Sequence, residues 1–409
     1  METVVSLRPL LSGDGRRNPY AFYAQLHAQG PACRLDPRRD RYDLVVHGYD
    51  AVASVLRDPA FGMLDAGYMD RGRMPWRDHP ALRTLYGSIF FANAPGHTRV
   101  RRQFSQVFTA RRVAALEPAV VRLIAQALDR LATLGAGGQP VDFMAELALP
   151  LPSDVIGELL GVPEPDRAWF PPRVLAIGAL LELGPALWKH LAAADQAAVE
   201  LTGYFTELAA KRRAEPRDDL VSGLVQVQAD QAGQLDDAEL LANLITLFNA
   251  GFVTTTHLLG NGLALLLERP EERAALLADP GLAPAYVEEI LRYEPPVHFG
   301  VRLALADTEV AGLPVAAGST ALVLLGAANR DPARYPDPDT FLPSRPDNQP
   351  LSFGGGVHYC LGAALSRLEG QLALPMLLDR FPRLALAGEP GERNQLVLRG
   401  YDRLAVTVE

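Results

Sequence analysis

The chain has 409 residues, of which 48% are hydrophobic and 21% are charged, proportions that are ordinary for a globular enzyme with a large core. Its formal net charge is −9 and it has no basic run, which excludes nucleic acid as an expected partner. The N-terminus has no apolar run long enough for a signal peptide or a membrane span, and the two cysteines lie too far apart in sequence to suggest a disulfide framework. We therefore expect a cytoplasmic protein without a membrane anchor.

The first 92 residues are predicted to hold two short helices, at 19–29 and 50–57, and a strand around 42–46. Residues 61–92 are rich in glycine, methionine and aromatic residues and are predicted to be irregular. A loop of this composition either lines a binding site or lies over the core as a surface loop.

A basic segment, PGHTRVRRQF, follows at residues 95–104. His97 and Arg101 are four positions apart, so on a helix they project from one face. Two donors side by side suit an anionic group. A solvated charged face is the alternative interpretation for three arginines in four positions.

Residues 113–225 are predicted to form several helices, with loops at the prolines of 150–152, 163–165 and 171–172. Within this region residues 174–188 are almost uncharged apart from Glu182. The stretch is too short, and too often interrupted by glycine and proline, to span a membrane, so a buried helix is predicted.

A long helix is predicted from residue 236 to about Leu267, and it would contain roughly 30 residues. It opens with a plausible capping box, in which Asp236 is followed three positions later by Glu239. The middle of the helix, NAGFVTTT at 249–256, combines small and β-branched residues that are poor helix formers. We expect the helix to bend or to pack closely against something there.

The segment EEILRYEPPV, at residues 288–297, ends a helix before two prolines. Glu289 and Arg292 are three positions apart and share a helical face, where an exposed pair would be worth little. Short strands are predicted at 308–314 and 319–325, and successive turns at 329–338.

Cys360 lies in a glycine-rich loop, SFGGGVHYCLG, and the apolar residues that follow have helical spacing. The cysteine therefore sits where a loop meets a helix N-terminus, whose unpaired N–H groups and dipole favour a thiolate. A lone cysteine is usually a small buried apolar residue. Zinc would need further Cys or His at short spacing, and the glycines lack the βαβ unit of a dinucleotide site.

The context FGGGxHxCLG resembles the haem-ligand loop of the cytochrome P450 family. The other segments described above resemble that family's motifs in order and with similar spacing, from about residue 40 to the C-terminus. The resemblance implies a mainly α fold with small β-sheets, the cytochrome P450 fold, in one triangular-prism-like domain over residues 1–409.

In that family the cysteine thiolate is the proximal iron ligand, a role that the resemblance assigns to Cys360. It also assigns haem b as the cofactor, and it implies these haem-binding residues: His97, Arg101, Arg302, His358, Phe353, Gly354 and Gly362. Arg99 and Arg102, on other faces of their helix, are weaker candidates for docking an acidic electron donor.

On the oxygen side, residues 250–254 resemble the family's oxygen-activation segment. Thr254 matches the threonine whose hydroxyl serves proton delivery to dioxygen, and Ala250 and Gly251 match the groove above the haem. The chain departs from the family at Val253, where an Asp or Glu is usual. Valine can neither donate nor accept a proton.

The resemblance also implies an ion-pair core and a substrate pocket. Glu289 and Arg292 would be buried with Arg345 as a structural group. The implied pocket residues are Val253, Val297, His298, Phe299 and Gly300. A hydrogen-bonding or packing role is the commoner one for His298. Residues 174–188 would contribute to a movable roof, and a hairpin at 396–404 would reach the pocket.

The implied reaction is insertion of one oxygen atom from O2 into a small, largely apolar substrate, in the tailoring of a secondary metabolite. The chain carries no flavin or iron–sulfur signature, so electrons from NAD(P)H would arrive through a ferredoxin and its reductase. The substrate would come either free or bound to a carrier protein. Because of Val253, oxidative coupling, ring closure, desaturation or peroxide use is an alternative, and a non-catalytic haem-binding module is a second.

Overall fold

The structure, a computed structural model, describes residues 4–182, 187–231 and 233–408, with the backbone alone at 187 and 188. Up to residue 182 its α-helices are α1 (Arg8–Leu11), α2 (Gly13–Arg17), α3 (Tyr20–His27), α4 (Tyr49–Arg57), α5 (Ala66–Arg71), α6 (Pro80–Tyr86), α7 (Gly96–Val107), α8 (Ala110–Ala115), α9 (Glu117–Leu134), α10 (Pro150–Leu160), α11 (Glu164–Arg167) and α12 (Phe170–Gly178). Beyond it they are α13 (Leu187–Ala214), α14 (Leu220–Asp230), α15 (Asp237–Leu267), α16 (Pro270–Ala278), α17 (Ala283–Tyr293), α18 (Leu325–Ala328) and α19 (Ala363–Arg380).

The strands are short. They are β1 (Val4–Val5), β2 (Ala32–Leu35), β3 (Leu44–Val46), β4 (Phe61–Gly62), β5 (Val141–Asp142), β6 (Phe299–Ala304), β7 (Thr308–Val310), β8 (Leu313–Val315), β9 (Thr320–Leu324), β10 (Ala385–Leu386), β11 (Gly391–Glu392), β12 (Tyr401–Arg403) and β13 (Ala405–Thr407). The prediction of a mainly α fold with small sheets is confirmed.

The chain forms two compact units, which we call the sheet unit and the helical unit. The sheet unit comprises residues 4–64, 281–360 and 391–402, and the helical unit comprises the described residues of 65–280, 361–390 and 403–408. The interpretation of residues 1–409 as one domain stays a prediction.

The sheet unit is built on a mixed sheet with the strand order β1-β2-β3-β9-β6-β4. Strands β3 and β9 pair in parallel, whereas β9 and β6 pair antiparallel with Phe299 opposite Leu324. Valine and leucine side chains of β3 and β9 are completely buried. This apolar core against α4 and α18 fixes the positions of the loops that leave the sheet.

The helical unit is organised around α15, which packs against α6, α10, α12, α13, α16 and α19. The predicted capping box is present: the Asp236 carboxylate accepts from the Glu239 backbone N–H at 2.7 Å, and the Glu239 carboxylate accepts from the Asp236 N–H at 3.1 Å. Among the described helices, α15 alone is long and apolar enough to cross a membrane, but 78% of its most apolar window is buried inside the protein.

Two predictions about local structure were wrong. Pro150, Pro165 and Pro171 do not lie in loops but in the first turns of helices α10, α11 and α12, because the missing proline N–H costs nothing there. Residues 61–92 are not irregular, since α5 and α6 form there. Residues 183–186 of the predicted roof lie outside the described residues.

Candidate active site

The loop that carries Cys360 is held in place by backbone contacts. The Cys360 N–H donates to the Phe353 carbonyl at 3.0 Å, and Gly354 adopts a φ of +71°, which favours glycine. Gly356 also has a positive φ, and a Cβ there would collide with the Leu56 carbonyl of α4. The glycines therefore allow the loop to lie directly on α4. Cys360 is half-buried, and α19 begins three residues later, as predicted.

Arg302, on β6, is a buried cation without a carboxylate partner in the described chain. The residue is 8% exposed, and the one hydrogen bond of its side chain in that part of the chain is to the carbonyl of Val301, at 2.9 Å. Burial lowers the pKa of Arg302 to about 10. A guanidinium in this situation fits an incoming anion such as a haem propionate, which would supply the missing acceptor.

His97 and Arg101 lie on α7 and interact as their spacing predicts. His97 is 3% exposed, and burial together with the nearby charge of Arg101 lowers its pKa. The imidazole is therefore held neutral beside a guanidinium. His358 and Phe353 are half-buried in the cysteine loop, and Gly362 is half-buried at the N-cap of α19.

Arg99 and Arg102 are already engaged within the helical unit. Arg99 forms a bidentate ion pair with Glu239 and also donates to the Gln234 carbonyl. Arg102 donates to the Gln234 side chain at 3.0 Å. Arg99 is therefore a poor docking point for an external acidic protein, and Arg102 is the more exposed of the two.

One stripe of α15 is accessible in the middle of the helix, where most neighbouring side chains are buried. Leu247, Gly251 and Thr254 are half-buried and Ala250 is exposed, whereas neighbours such as Phe252 are fully buried. These four positions follow the i, i+3, i+4, i+7 spacing of one helical face. The stripe is apolar except for the threonine hydroxyl.

The groups on this stripe differ in what they contact. The Thr254 hydroxyl donates to the Ala250 carbonyl at 2.8 Å, while Val253 is a buried residue, 3% exposed. A Cβ on Gly251 would come within 3.2 Å of Ile156 on α10, so this glycine also permits close helix packing. The expected packing contact in mid-helix is thus present.

Val297 and Gly300 are half-buried, but His298 and Phe299 are not accessible. His298 is 0% exposed and shares a 3.0 Å hydrogen bond through Nδ1 with the Tyr23 hydroxyl. Burial, with the charges of Arg399 and Arg330, lowers its pKa well below the usual range. His298 therefore packs inside the sheet unit as a neutral side chain, which was the commoner role weighed for it. Phe299 is 4% exposed in the sheet.

The comparison with known proteins is decisive for the family. The model of the cytochrome P450 family matches residues 172–395. Cytochrome P450 monooxygenase PikC of Streptomyces venezuelae is 39% identical over 389 residues, which cover 93% of this chain and 88% of that protein.

This chain belongs to the cytochrome P450 family.

Solved structures of the family share the fold. One of them is P450BioI, solved in complex with a hexadec-9Z-enoic acid ligated acyl carrier protein. It superposes on this P450 with a TM-score of 0.87 at 32% sequence identity, and the match covers 97% of this chain and 100% of that chain. CxnD, a P450 enzyme for C–S bond formation in chuangxinmycin biosynthesis, gives 0.86 at 33% identity, over 100% of this chain and 98% of that one. The predicted P450 fold and the assignment as a monooxygenase-type oxidoreductase are confirmed.

The P450 also contains the buried ion pair that the spacing of Glu289 and Arg292 suggested. Both side chains are 0% exposed, with N–O distances of 2.7 and 2.8 Å. Arg345 lies 3.6 Å from Glu289 and donates to backbone carbonyls instead of forming a direct hydrogen bond with that carboxylate. These contacts lie within the sheet unit and support a structural role.

The sequence analysis of this P450 missed one polar cluster, around Arg399. Tyr23 and His298 are 275 positions apart in sequence, Glu294 and Arg399 are 105 apart, and Arg399 contacts Arg17 across 382 positions, so spacing along the chain could not have revealed these contacts. The predicted hairpin at 396–404 is only partly regular: β12 pairs with β11, and residues 397–399 bond to the segment after α17.

Proposed function

We propose that this cytochrome P450 uses haem b to insert one oxygen atom of O2 into a small, largely apolar organic molecule, and that it tailors a secondary metabolite. The observation that carries the proposal is Cys360, held in a glycine-rich loop directly before a helix. The description of CxnD as a biosynthetic enzyme supports the metabolic role.

Eight residues of this P450 would hold the cofactor. Cys360 would supply the thiolate ligand, with Phe353, Gly354 and Gly362 shaping its loop. His97, Arg101, Arg302 and His358 would bind the propionates or the proximal surface. The buried guanidinium of Arg302, which has no carboxylate partner among the described residues, supports this assignment most directly. When bound, the haem supplies the activation of dioxygen.

The accessible stripe of α15 would be the oxygen-side surface. The Thr254 hydroxyl donates its hydrogen to the Ala250 carbonyl, so its oxygen is free to accept a hydrogen bond. To pass a proton on, the hydroxyl would have to turn its O–H away from that carbonyl. Leu247 and Ala250 of this stripe offer apolar surface that suits an apolar substrate. Within the sheet unit, the half-buried Val297 would offer apolar surface of the same kind.

Electrons would come from NAD(P)H through a ferredoxin and its reductase in the cytoplasm. A carrier-bound substrate is supported by P450BioI, which is described in complex with an acylated carrier protein.

The test uses the two cysteines as a matched pair. We expect Cys360→Ala to lose the thiolate-type absorption band of the reduced carbon-monoxide complex, and Cys33→Ala, a change inside β2, to keep it. If purified protein contains no haem and cannot be reconstituted with it, or if Cys360→Ala keeps the band, the proposal is wrong.

Val253 favours a second candidate, atypical haem-thiolate chemistry such as coupling, ring closure, desaturation or peroxide use. Its buried apolar side chain cannot relay protons, and CxnD is described as forming a C–S bond. Val253→Glu should change the ratio of product formed to reducing equivalents consumed. An unchanged ratio would place residue 253 outside the proton route.

A further inference from the structure

Five side chains of the sheet unit form a polar cluster beside the segment after α17. We call this the Arg399 cluster, and its members are Tyr20, Tyr23, Glu294, His298 and Arg399. Tyr23 and His298 are almost completely buried, and the side chains of Glu294 and Arg399 are 18% and 11% exposed. Buried polar groups of this kind are costly unless they are satisfied.

Glu294 and Arg399 connect the cluster. The Glu294 carboxylate accepts from the Tyr20 hydroxyl at 2.6 Å and from the Arg399 Nε at 3.2 Å. The two remaining nitrogens of the guanidinium donate to the carbonyls of Arg16 and Arg17, at the end of α2. Arg399 therefore joins a helix end to a carboxylate.

The same residues lie on a short backbone ladder. The Arg399 N–H donates to the Pro296 carbonyl at 2.9 Å, and the His298 N–H donates to the Val397 carbonyl at 3.0 Å. Val297 and Leu398 form an antiparallel bridge between these two bonds. Successive side chains of an extended strand point to opposite faces, so Val297 points away from His298 and Leu398 away from Arg399.

The packing around His298 leaves little freedom. A Cβ on Gly326 would approach its Nδ1 to 2.5 Å, and the Gly326 N–H donates to the His298 carbonyl at 3.2 Å. With its ring also bonded to Tyr23, His298 is fixed on three sides. The position of Val297 is thereby determined by groups on the opposite face of its own strand.

We propose that the Arg399 cluster is a positioning device that sets the shape selectivity of the substrate pocket by holding Val297 and Leu398. This inference rests on the proposed function and on the family resemblance, which places both segments beside the substrate. The cluster does not touch the substrate itself. Loosening it shifts apolar wall atoms and leaves the binding of haem unchanged.

The test compares two iron-binding probes on the holoenzyme: imidazole, which needs little beyond access to the iron, and econazole, whose aromatic rings must lie against the pocket walls. Both are titrated by the change in haem absorption. For Arg399→Ala we expect econazole binding to weaken about tenfold, or about 1.4 kcal/mol, while imidazole binding stays within about twofold. Arg399→Lys keeps the positive charge but lacks the planar guanidinium with its several donors, so it should weaken econazole binding less than Arg399→Ala does.

Tyr23→Phe provides a milder variant that keeps the protein folded, because it removes one hydroxyl only. It should weaken econazole about threefold. Hydrogen exchange of peptides covering 294–300 and 396–400 should become faster in both variants. Arg213→Ala is the control, since Arg213 is 42% exposed in a surface pair with Asp237 and should change neither probe.

The inference would be overturned if the ratio of econazole affinity to imidazole affinity stayed the same in both variants, whether neither affinity changed or both fell equally. These failures are distinct from failure of the proposed function. In the latter case the wild-type protein would bind neither haem nor azoles.

Discussion

Arg292 and Arg302 are both buried cations of the sheet unit, but their surroundings are opposite. All five N–H donors of Arg292 are used, two on the Glu289 carboxylate and three on backbone carbonyls. Arg302 reaches a single carbonyl, that of Val301, within the described chain. The donors of Arg292 are all satisfied by the protein, whereas the guanidinium of Arg302 has donors that suit a bound anion.

The difference separates two meanings of a buried charge. A fully bonded ion pair holds the fold, and its loss leaves an uncompensated charge in the core. A buried guanidinium with spare donors costs stability until a ligand occupies it, so it indicates binding. The predictions below test this distinction.

The largest effect is expected when the ion pair between Glu289 and Arg292 is broken. Glu289→Ala should lower the free energy of unfolding by about 3–5 kcal/mol, because Arg292 keeps its charge and loses its partner. Denaturant unfolding at matched haem content measures the change. Glu309→Ala, at an exposed position of β7, should stay within about 0.5 kcal/mol of the wild type. A loss below about 1 kcal/mol for Glu289→Ala would contradict the comparison.

Replacing Arg302 should have the opposite effect on the stability of the haem-free protein. Arg302→Met should leave the haem-free protein as stable or more stable, because it removes a buried charge for which the described part of the chain provides no anionic partner. The same change should speed loss of haem, with a cost of about 1.5–3 kcal/mol for bonds to a charged group. Haem transfer to an acceptor protein measures it, and Arg302→Lys should lie between. If Arg302→Met destabilises the haem-free protein and leaves haem loss unchanged, the arginine is structural.

The smallest effect is expected for His47, a buried histidine that stays neutral in the folded protein. Burial, with a contribution from His27, lowers the pKa of His47 to about 3. The unfolded chain therefore binds a proton below about pH 6.5 that the folded chain refuses, so stability falls as the pH drops from 6.5 towards 3. His47 should account for a loss of about 1 kcal/mol between pH 7 and pH 5.5.

His47→Gln should remove that share of the pH dependence, as measured by unfolding at several pH values. The control is His190→Gln at an exposed position. Equal slopes in His47→Gln and the wild type would show that the proton uptake occurs elsewhere.

The sequence predicted those features whose partners are close along the chain. The capping box of α15, the spacing of Glu289 and Arg292, and the loop before α19 are all local patterns, and each appears in the structure. The family resemblance assigned roles to residues such as Thr254 and Cys360, and these roles stay predictions. Their surroundings are now described.

Features that depend on distant partners could not be predicted. Whether a buried arginine is complete, as Arg292 is, or incomplete, as Arg302 is, depends on which carbonyls the fold brings near. The same is true of His298, whose ring is fixed by Tyr23 275 positions earlier. The prediction of loops at the prolines of 150 and 171 was wrong for a different reason. Proline is common both where helices end and in their first turns, so its presence alone does not distinguish the two.

The bonds from Arg399 to the carbonyls of Arg16 and Arg17 have a practical consequence for work with this enzyme. Trimming the first seventeen residues, an ordinary step when designing a shorter expression version, would remove two acceptors from a guanidinium nearly four hundred positions downstream. A truncated enzyme could keep its colour and its melting temperature and still prefer different molecules. Screens for the natural substrate should therefore use the untrimmed chain.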